Sequence, residues 1–265
     1  MDTIVGTAYA PPPEADVEAG SRPLVAHWLG RVPYRRAWSL QKRLATARAD
    51  GRIPDQLLLL EHPAVLTLGR MADESHVRAS AEELRARDVA LIRVERGGEA
   101  TYHGPGQLVA YPIIGLAGRG LLLRAFVRAL ETALIETCAA FGVVAARRDG
   151  HPGCWCDADG AAPRKIGALG LRVERGVTYH GIALNIDPDL ADFELIDPCG
   201  MPDVESTSIA REAGWTNGHP RAVREAASAF AAAFAAAVSA PLDPPSPGDG
   251  DASSTLTALE RLGTP

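Results

Sequence analysis

Residues 165–186 read KIGALGLRVERGVTYHGIALNI and contain two runs with the composition of β-strands, residues 165–174 and 177–186. Other short apolar runs predict strands at residues 24–29, 56–61, 65–68, 89–95, 108–114 and 154–156. Apolar residues at helical spacing, together with start and stop signals, predict helices at residues 33–49, 80–87, 121–141 and 220–240. Because strands and helices mix without a fixed period, the sequence predicts one α+β domain with a mixed β-sheet and flanking helices.

The two ends of the chain differ in composition from the rest. Residues 1–22 are rich in Pro, Ala and acidic residues, and residues 241–265 are rich in Pro, Ser, Gly and Asp. Segments of this composition bury too little apolar surface to fold, so both are predicted to be disordered tails. The single folded domain is therefore expected at residues 23–240.

Charge and apolar pattern limit the class of protein. The net charge is −6 and the 27 basic residues are dispersed, which argues against nucleic acid as the main partner. No window approaches the roughly 18 consecutive apolar residues of a membrane span. The start of the chain lacks the basic cluster of a signal peptide. The four cysteines are too few for a disulfide framework, so we expect a cytoplasmic protein with reduced thiols and no membrane partner.

A glycine-rich segment at residues 96–107, RGGEATYHGPGQ, lies between two predicted strands. Glycine lets a backbone approach a ligand closely, so the segment is a candidate binding site, although a wide turn or bulge without a ligand is an alternative. It matches neither of the glycine patterns that bind phosphates, so a nucleotide is not indicated. The string Thr-Tyr-His-Gly occurs in it and again at residues 178–181, so that His103 and His180 are either two walls of one pocket or structural histidines.

Two further residues have the chemistry of an activated nucleophile. Only Lys42 and Lys165 among the 27 basic residues are lysines, and an arginine cannot act as a base. Lys165 is therefore a candidate base, with a surface lysine at a strand start as the alternative. Cys199 lies in the tight sequence Asp-Pro-Cys-Gly, which would expose its thiol for attack unless it is a buried small apolar residue.

The other thiols do not predict a metal site. His151, Cys154 and Cys156 are three possible ligands at close spacing, but cysteines at i and i+2 of a strand merely face the same side and a fourth ligand is missing. Cys138 lies on the apolar face of a predicted helix and is expected in the core. We therefore expect neither a metal nor a cofactor.

Four strings in order, RGGEATYHGPGQLVAYPI, KIGALG, TYHGIALNI and IDPCG, are similar to those of the lipoyl(octanoyl) transferase family. The resemblance covers about residues 24–240. It implies a fold similar to the catalytic domain of biotin and lipoate protein ligases. It also implies that Cys199 is the catalytic nucleophile and Lys165 its partner base.

The resemblance further implies an acyl-binding site made of three segments. These comprise Arg96, Gly97, Gly98, Glu99, Ala100, Thr101, Tyr102 and His103, then Ala168, Leu169 and Gly170, and finally Gly181, Ile182 and Ala183.

The activity that the resemblance implies is a step of protein lipoylation and lipoate biosynthesis. An octanoyl or lipoyl group would pass from a thioester of acyl carrier protein, through a thioester on Cys199, to a lysine of a lipoyl domain. The acceptors would be the lipoyl domains of 2-oxo acid dehydrogenase complexes and the glycine cleavage H protein, and the enzyme would be a monomer. Because acyl carrier proteins are acidic as a class, arginines are expected at the mouth of the site.

Three alternatives follow from the same residues. An ATP-dependent lipoate or biotin protein ligase of this fold would need a nucleotide loop, and both Cys199 and the absence of a Gly-Arg-Gly-Arg string oppose it. A cysteine hydrolase would use His103 or His180 as the base and release its acyl group to water. A non-catalytic binding module would keep full function after Cys199→Ala.

Overall fold

The computed structural model describes most of the predicted domain. The described residues are 23–197, 204–216, 218–219, 221–245 and 252–263. Cys199 and the tail predicted at residues 1–22 lie outside these ranges, so the predictions made for them stay predictions.

The described residues form twelve strands and six α-helices. The strands are β1 Leu24–Arg31, β2 Asp55–Glu61, β3 Val65–Leu68, β4 Ala90–Arg93, β5 Ala100–His103, β6 Gln107–Ile113, β7 Ala146–Arg148, β8 His151–Cys156, β9 Arg164–Glu174, β10 Val177–Asn185, β11 Glu205–Ser206 and β12 Leu242–Asp243. The helices are α1 Tyr34–Ala49, α2 Ala81–Ala86, α3 Leu123–Ala140, α4 Ile209–Glu212, α5 Ala222–Ala237 and α6 Ala252–Leu262.

The larger sheet has the strand order β12-β1-β2-β6-β10-β9-β8-β7, and β11 pairs with β9 away from this path. The pairs of β1 with β2 and with β12 are parallel, whereas β2, β6, β10, β9 and β8 follow one another in antiparallel pairs. The smaller sheet has the order β4-β3-β5. The predicted α+β class with a mixed sheet is therefore confirmed.

Helices cover both faces of the larger sheet. On one face α3 and α5 pack together, with Phe126 and Phe234 in edge contact at a ring-centroid distance of 5.9 Å. Phe126, Leu130 and Leu134 of α3 recur every four residues and are fully buried, as expected of a helix that presents one apolar stripe to a sheet. On the other face α1 buries Leu40 and Leu44.

The hairpin of β9 and β10 is the part of the sheet that the opening stretch of sequence predicts, and it is confirmed. Val177 pairs with Glu174, so the two strands are joined by a turn of two residues. These two residues, Arg175 and Gly176, have φ of 50° and 76°. Positive φ at both positions is typical of the turn whose twist matches that of paired strands.

The structure corrects two predictions. The glycine-rich segment contains the strand β5, because Ala100–His103 pairs with β3, a partner more than thirty residues earlier that local composition does not reveal.

The predicted tail at residues 241–265 contains β12, which pairs with β1, and α6. In α6, Leu256 and Leu259 are spaced by three residues and buried against α1, while Glu260 forms an ion pair with Arg36. The spacing of the apolar residues in α6 therefore determines its structure more than the polar average composition of residues 241–265 does.

None of the helices in the described ranges is both long enough and apolar enough to cross a membrane.

Candidate active site

A cavity opens beside the hairpin of β9 and β10, where the larger sheet meets the glycine-rich segment that leads into β5. Its walls come from α1, β5, β6, β9 and β10. The residues that line it are Tyr34, Arg96, Gly98, Glu99, Ala100, Thr101, His103, Tyr111, Lys165, Ala168, Leu169, Gly170, His180, Gly181, Ile182 and Ala183.

All the predicted acyl-binding residues line this cavity except Gly97 and Tyr102. The N–H group of Gly97 donates to the carbonyl of Leu171 at 2.8 Å, which attaches the segment to β9. The side chain of Tyr102 points to the opposite side of the wall, where its hydroxyl donates to Asp192 at 2.6 Å and its ring packs against Phe193. The structure thus brings the three predicted segments together, and their role in acyl binding stays a prediction.

Arg96 is buried and holds the glycine-rich segment in place. Its Nη2 donates to the carbonyl oxygens of Thr67 at 2.8 Å and of Glu99 at 2.7 Å, and to Thr67 Oγ1 at 2.9 Å. Its Nη1 donates to the carbonyl of Gly97 at 3.0 Å. A guanidinium has five N–H donors in a rigid fork, so one side chain can join β3 to the segment that carries the cavity wall.

Close backbone contacts explain two of the glycines. A Cβ on Gly170 would lie 2.9 Å from the carbonyl oxygen of Gly97 and 3.0 Å from Arg96 Cδ, so a side chain there would push the glycine-rich segment off β9. A Cβ on Gly181 would lie 2.0 Å from the carbonyl oxygen of Ala110. Glycine is therefore required on both strands of the hairpin where the cavity wall approaches it.

Lys165 stands at the start of β9 and lines the cavity. Its Nζ lies 5.1 Å from the centroid of the Trp155 ring, a cation–π distance. Its carbonyl oxygen accepts from the N–H group of Thr207 at 3.0 Å. Ser206 of β11 is the residue that pairs with Lys165. Because β8 and β11 both pair with β9 at this residue, the backbone of Lys165 is held in place at the cavity.

The chain that leads towards Cys199 is anchored beside the same cavity. The N–H group of Asp197 donates to the carbonyl of His76 at 2.8 Å, and Ile196 forms a bridge with Val77. His76 Nδ1 lies 3.8 Å from a carboxylate oxygen of Glu99, which is a cavity residue. The described chain thus reaches Asp197 beside His76 and resumes at residue 204, just before β11, which pairs with β9 at Lys165.

Both histidines of the Thr-Tyr-His-Gly strings line the cavity, which confirms that they wall one pocket. His103 Nδ1 donates to Gln107 Oε1 at 2.8 Å, and burial lowers the pKa of His103 to about 3. Burial likewise lowers the pKa of His180 to about 4. Both rings are therefore neutral at physiological pH.

The sequence did not predict Tyr34 and Tyr111 as cavity residues, nor His62 behind them. The Tyr111 hydroxyl donates to His62 Nε2 at 2.8 Å, because His62 Nδ1 donates to the carbonyl of Val32 at 2.6 Å. Burial raises the pKa of Tyr34 to about 12. These residues come from α1, β6 and the end of β2, and no local pattern connects them, so only folding brings them together.

The three described thiols lie in the core. Cys138, as predicted, is fully buried in the cluster beneath α3 and α5, together with Cys154 and Cys156. A hydrogen bond with Cys138 and burial raise the pKa of the Cys154 thiol, and burial raises that of Cys156 to about 12. Within the described ranges, no three His, Cys, Asp or Glu side chains are grouped in a way that would hold a metal ion.

Comparison with known proteins gives a consistent result. The family described as the lipoyl protein ligase A/B catalytic domain matches residues 33–235. An octanoyltransferase of Chloroflexus aurantiacus is 50% identical over 194 residues, which cover 73% of this chain and 86% of that protein. An octanoyltransferase of Mycolicibacterium gilvum is 44% identical over 230 residues, which cover 86% of this chain and 90% of that protein.

Solved structures with a similar fold have much lower identity. A bipartite lipoate protein ligase from Thermoplasma acidophilum superposes with a TM-score of 0.63 at 14% identity, covering 93% of this chain and 92% of that one. A lipoate-protein ligase A bound with ATP superposes with a TM-score of 0.60 at 15% identity, covering 92% of this chain and 96% of that one. At such identities the comparison shows a shared fold.

Proposed function

This chain belongs to the family of the lipoyl protein ligase A/B catalytic domain, and from that membership we propose that it is an octanoyltransferase with Cys199 as nucleophile and Lys165 as base. It is an acyltransferase in this proposal, and its relatives that are named octanoyltransferase align over most of both chains. The observation that carries the proposal is a cavity with predominantly apolar walls that has Lys165 in its lining. An apolar slot with an amine beside it suits a fatty acyl group whose carbonyl reacts near that amine.

The first half-reaction loads the enzyme. A free thiol has a pKa of about 8.5 and is only a few per cent thiolate at neutral pH, so Cys199 needs a base. Neutral Lys165 takes the thiol proton, and the thiolate attacks the octanoyl thioester of acyl carrier protein. The tetrahedral intermediate collapses to a thioester on Cys199. The thiol of the carrier leaves with the proton that Lys165 had taken.

The second half-reaction unloads it. Lys165 is then neutral again and takes a proton from the incoming lysine of a lipoyl domain as its amine attacks the Cys199 thioester. An amide forms, and the Cys199 thiolate leaves and recovers a proton from Lys165. Because conversion of a thioester to an amide is downhill, the cycle requires neither ATP nor a cofactor.

The proposed partners are acyl carrier protein as donor and lipoyl domains as acceptors, and their encounter would take place in the cytoplasm. Arg70 supports the prediction of arginines at the mouth of the cavity. Its side chain is exposed. Its backbone N–H group donates to the carbonyl of Arg96 at 3.0 Å, so Arg70 lies beside the glycine-rich segment. A positive charge there suits an acidic carrier.

The ligase and hydrolase alternatives have weaker support. The ligases share the fold at low identity, whereas the relatives near 50% identity are named octanoyltransferase. For a hydrolase, His103 or His180 would have to be the base. His103 already uses Nδ1 to donate to Gln107, and burial keeps both rings well below their usual pKa, which makes them weak bases.

Intact-mass analysis after mixing the protein with octanoyl-acyl carrier protein tests the mechanism. We expect one octanoyl adduct on the wild type and none on Cys199→Ser. Lys165→Arg should form the adduct at least about 100-fold more slowly, since a positioned base contributes about that much or more. Lys42→Arg is the matched control, because Lys42 is the other lysine, is exposed and does not line the cavity.

An adduct that persists in Cys199→Ser, or an unchanged rate in Lys165→Arg, would exclude the proposed pair. Addition of a lipoyl domain then separates transferase from hydrolase. A transferase moves the octanoyl group onto the domain, whereas a hydrolase releases free octanoate at the same rate with or without it.

A further inference from the structure

Lys165 lies close to an end of its strand, where the sheet around it is least regular. It is the second residue of β9, and β11, which pairs with it there, is only two residues long. On the other side, the pairing with β8 shifts its register between Cys154 and Trp155, which is the partner of Lys165. Strand ends open more readily than the middle of a sheet. The two ladders alone are therefore a weak support for a base that must stay within hydrogen-bond reach of the proton it takes.

Thr207 attaches this end of β9 to the rest of the molecule. The residue is fully buried. Its N–H group donates to the carbonyl of Lys165 at 3.0 Å, and its own carbonyl accepts from Asn185 Nδ2 of β10 at 2.8 Å. Its hydroxyl donates to Glu212 Oε1 of α4 at 2.6 Å. One buried residue thus connects Lys165 to β10 and to α4.

Glu212 completes the attachment from the side of α4. Its carboxylate oxygens accept from Arg164 Nε at 2.8 Å and from Arg164 Nη2 at 3.0 Å, so the ion pair is bidentate. The hydrogen bond from Arg164 holds the pKa of Glu212 below its usual value, so the carboxylate is charged at physiological pH. The side chain of Glu212 is only 17% exposed, and partly buried bidentate pairs are stronger and more specific in geometry than single surface contacts.

The partners of Glu212 are the two residues next to Lys165. Arg164 is the residue directly before Lys165 in β9, and Thr207 lies across from it and bonds to its carbonyl. The carboxylate therefore holds the base from two directions. Thr207 also belongs to the segment that follows Cys199 in the chain, so the same contact fixes the start of β9 against this segment.

We infer that Glu212 is a positioning residue for the proposed base Lys165, because its carboxylate joins Arg164 to Thr207, the residues beside Lys165 along the strand and across it. The inference rests on the proposed octanoyltransferase function and adds a residue outside the predicted site. Glu212 does not line the cavity, so it acts through Lys165 and not on the acyl group. A displacement of about 1 Å at a reacting group can slow a reaction by about 100-fold. Loss of this contact should therefore slow the chemistry without weakening the binding of the donor.

Single-turnover loading of the enzyme with octanoyl-acyl carrier protein tests the inference. Glu212→Gln keeps the shape of the side chain, but one of its oxygens becomes an NH2 group that cannot accept from Arg164. We expect the maximal loading rate to fall by about tenfold or more, while the donor concentration that gives half of this rate changes by less than about twofold. A maximal rate within about twofold of the wild type would overturn the inference.

Glu260→Gln is the matched control. Glu260 accepts from Arg36 in the same bidentate way, at 2.8 and 3.1 Å, but this pair joins α6 to α1. Both variants lose a bidentate ion pair, so a general loss of stability would slow loading in both. We expect the wild-type loading rate in Glu260→Gln. An equal decrease in the two variants would mean that Glu212 contributes only to stability, and the inference would be wrong.

Thr207 provides a second test that leaves the ion pair in place. Thr207→Val keeps the shape but removes the hydroxyl that donates to Glu212, whereas Thr207→Ser retains it. We expect slow loading in Thr207→Val and a rate near that of the wild type in Thr207→Ser. Equal rates in these two variants would contradict the inference, and they decide the question if Glu212→Gln does not fold.

The double variant Glu212→Gln/Thr207→Val shows whether the two residues act through one connection. Its loading rate should be close to that of the slower single variant, because each substitution already breaks the link between Arg164 and Thr207. Two independent effects would multiply, and that result would exclude a shared positioning role.

The wild type separates the inference from the proposed function. If the wild type is loaded and the variants load at the same rate, the transferase stands and only the positioning role of Glu212 is overturned. If the wild type forms no octanoyl adduct, the octanoyltransferase proposal fails and the inference fails with it.

Discussion

At the residue scale, Arg96 shows how one buried charge positions a cavity wall. Its guanidinium donates mainly to backbone carbonyls and to the Thr67 hydroxyl, so the charge is stabilised by hydrogen bonds to fixed acceptors. Hydrogen bonds to a charged group contribute more than neutral ones, about 1.5–3 kcal/mol each. The wall therefore depends on partners that a glycine-rich sequence does not reveal.

Thr67→Val tests this arrangement. Valine has nearly the same shape but removes Oγ1, which accepts from Arg96 Nε at 3.2 Å and Nη2 at 2.9 Å. We expect the free energy of unfolding in urea to fall by about 2 kcal/mol, with a higher KM for the acyl donor as the wall loosens. Thr67→Ser retains the hydroxyl and is the control. Equal losses in the two variants would show that the methyl group, not the hydrogen bond, matters.

At the scale of elements, the contact between β10 and β6 determines where the cavity can form. The ladder between them covers Ile182 to Asn185, and Gly181 stands at its end against the carbonyl of Ala110. Two strands cannot keep this spacing with a side chain between their backbones. Glycine is therefore required at position 181, because a larger residue would not fit between the two backbones.

Gly181→Ala should destabilise the protein by about 3 kcal/mol or more, since the added Cβ meets backbone that cannot rotate away. Gly176→Ala is the comparison: Gly176 has a φ of 76° but nothing within 4 Å of an added Cβ. Only backbone strain of about 1–2 kcal/mol is expected there. Urea denaturation of both variants checks the order, and a smaller loss in Gly181→Ala would contradict the close approach.

At the scale of the whole molecule, several histidines are buried in a neutral state. Burial lowers the pKa of His62 to about 4, of His103 to about 3 and of His180 to about 4. Their unfolded pKa is about 6.5, so between pH 6.5 and 4 the unfolded chain binds more protons than the folded one. Stability is therefore complete above pH 6.5 and is lost as the pH falls towards 4.

This uptake of protons on unfolding predicts that the free energy of unfolding decreases steeply in acid. Three protons taken up on unfolding correspond to a slope of up to about 4 kcal/mol per pH unit. We expect the free energy of unfolding in urea to change little from pH 8 to 7 and to drop sharply from pH 6 to 5. A flat profile down to pH 5 would show that these rings are not held neutral. His180→Asn should lower the slope by up to about 1.4 kcal/mol per pH unit, because one proton fewer is taken up on unfolding.

Some of the site could be predicted because its residues are neighbours in sequence. Ala168 to Gly170 and Gly181 to Ala183 lie in the two strands of one hairpin, whose alternation and two-residue connection are local signals. Lys165 could be singled out because lysine is rare in this chain. Tyr111 and Tyr34 could not, since each looks like an ordinary residue of a buried strand or a helix start.

The sequence by itself determined the α+β class, the order of most strands and helices, the family and the residues with the chemistry of a nucleophile and base, because these depend on local periodicity and on motifs. The tertiary structure decided that residues 100–103 of the glycine-rich segment pair with β3 as β5, that α6 packs on α1, and that the rings of His180 and Tyr111 meet in the cavity wall. Those contacts join residues far apart in the chain. Their free energy comes from burial and from hydrogen bonds that exist only after the elements have packed.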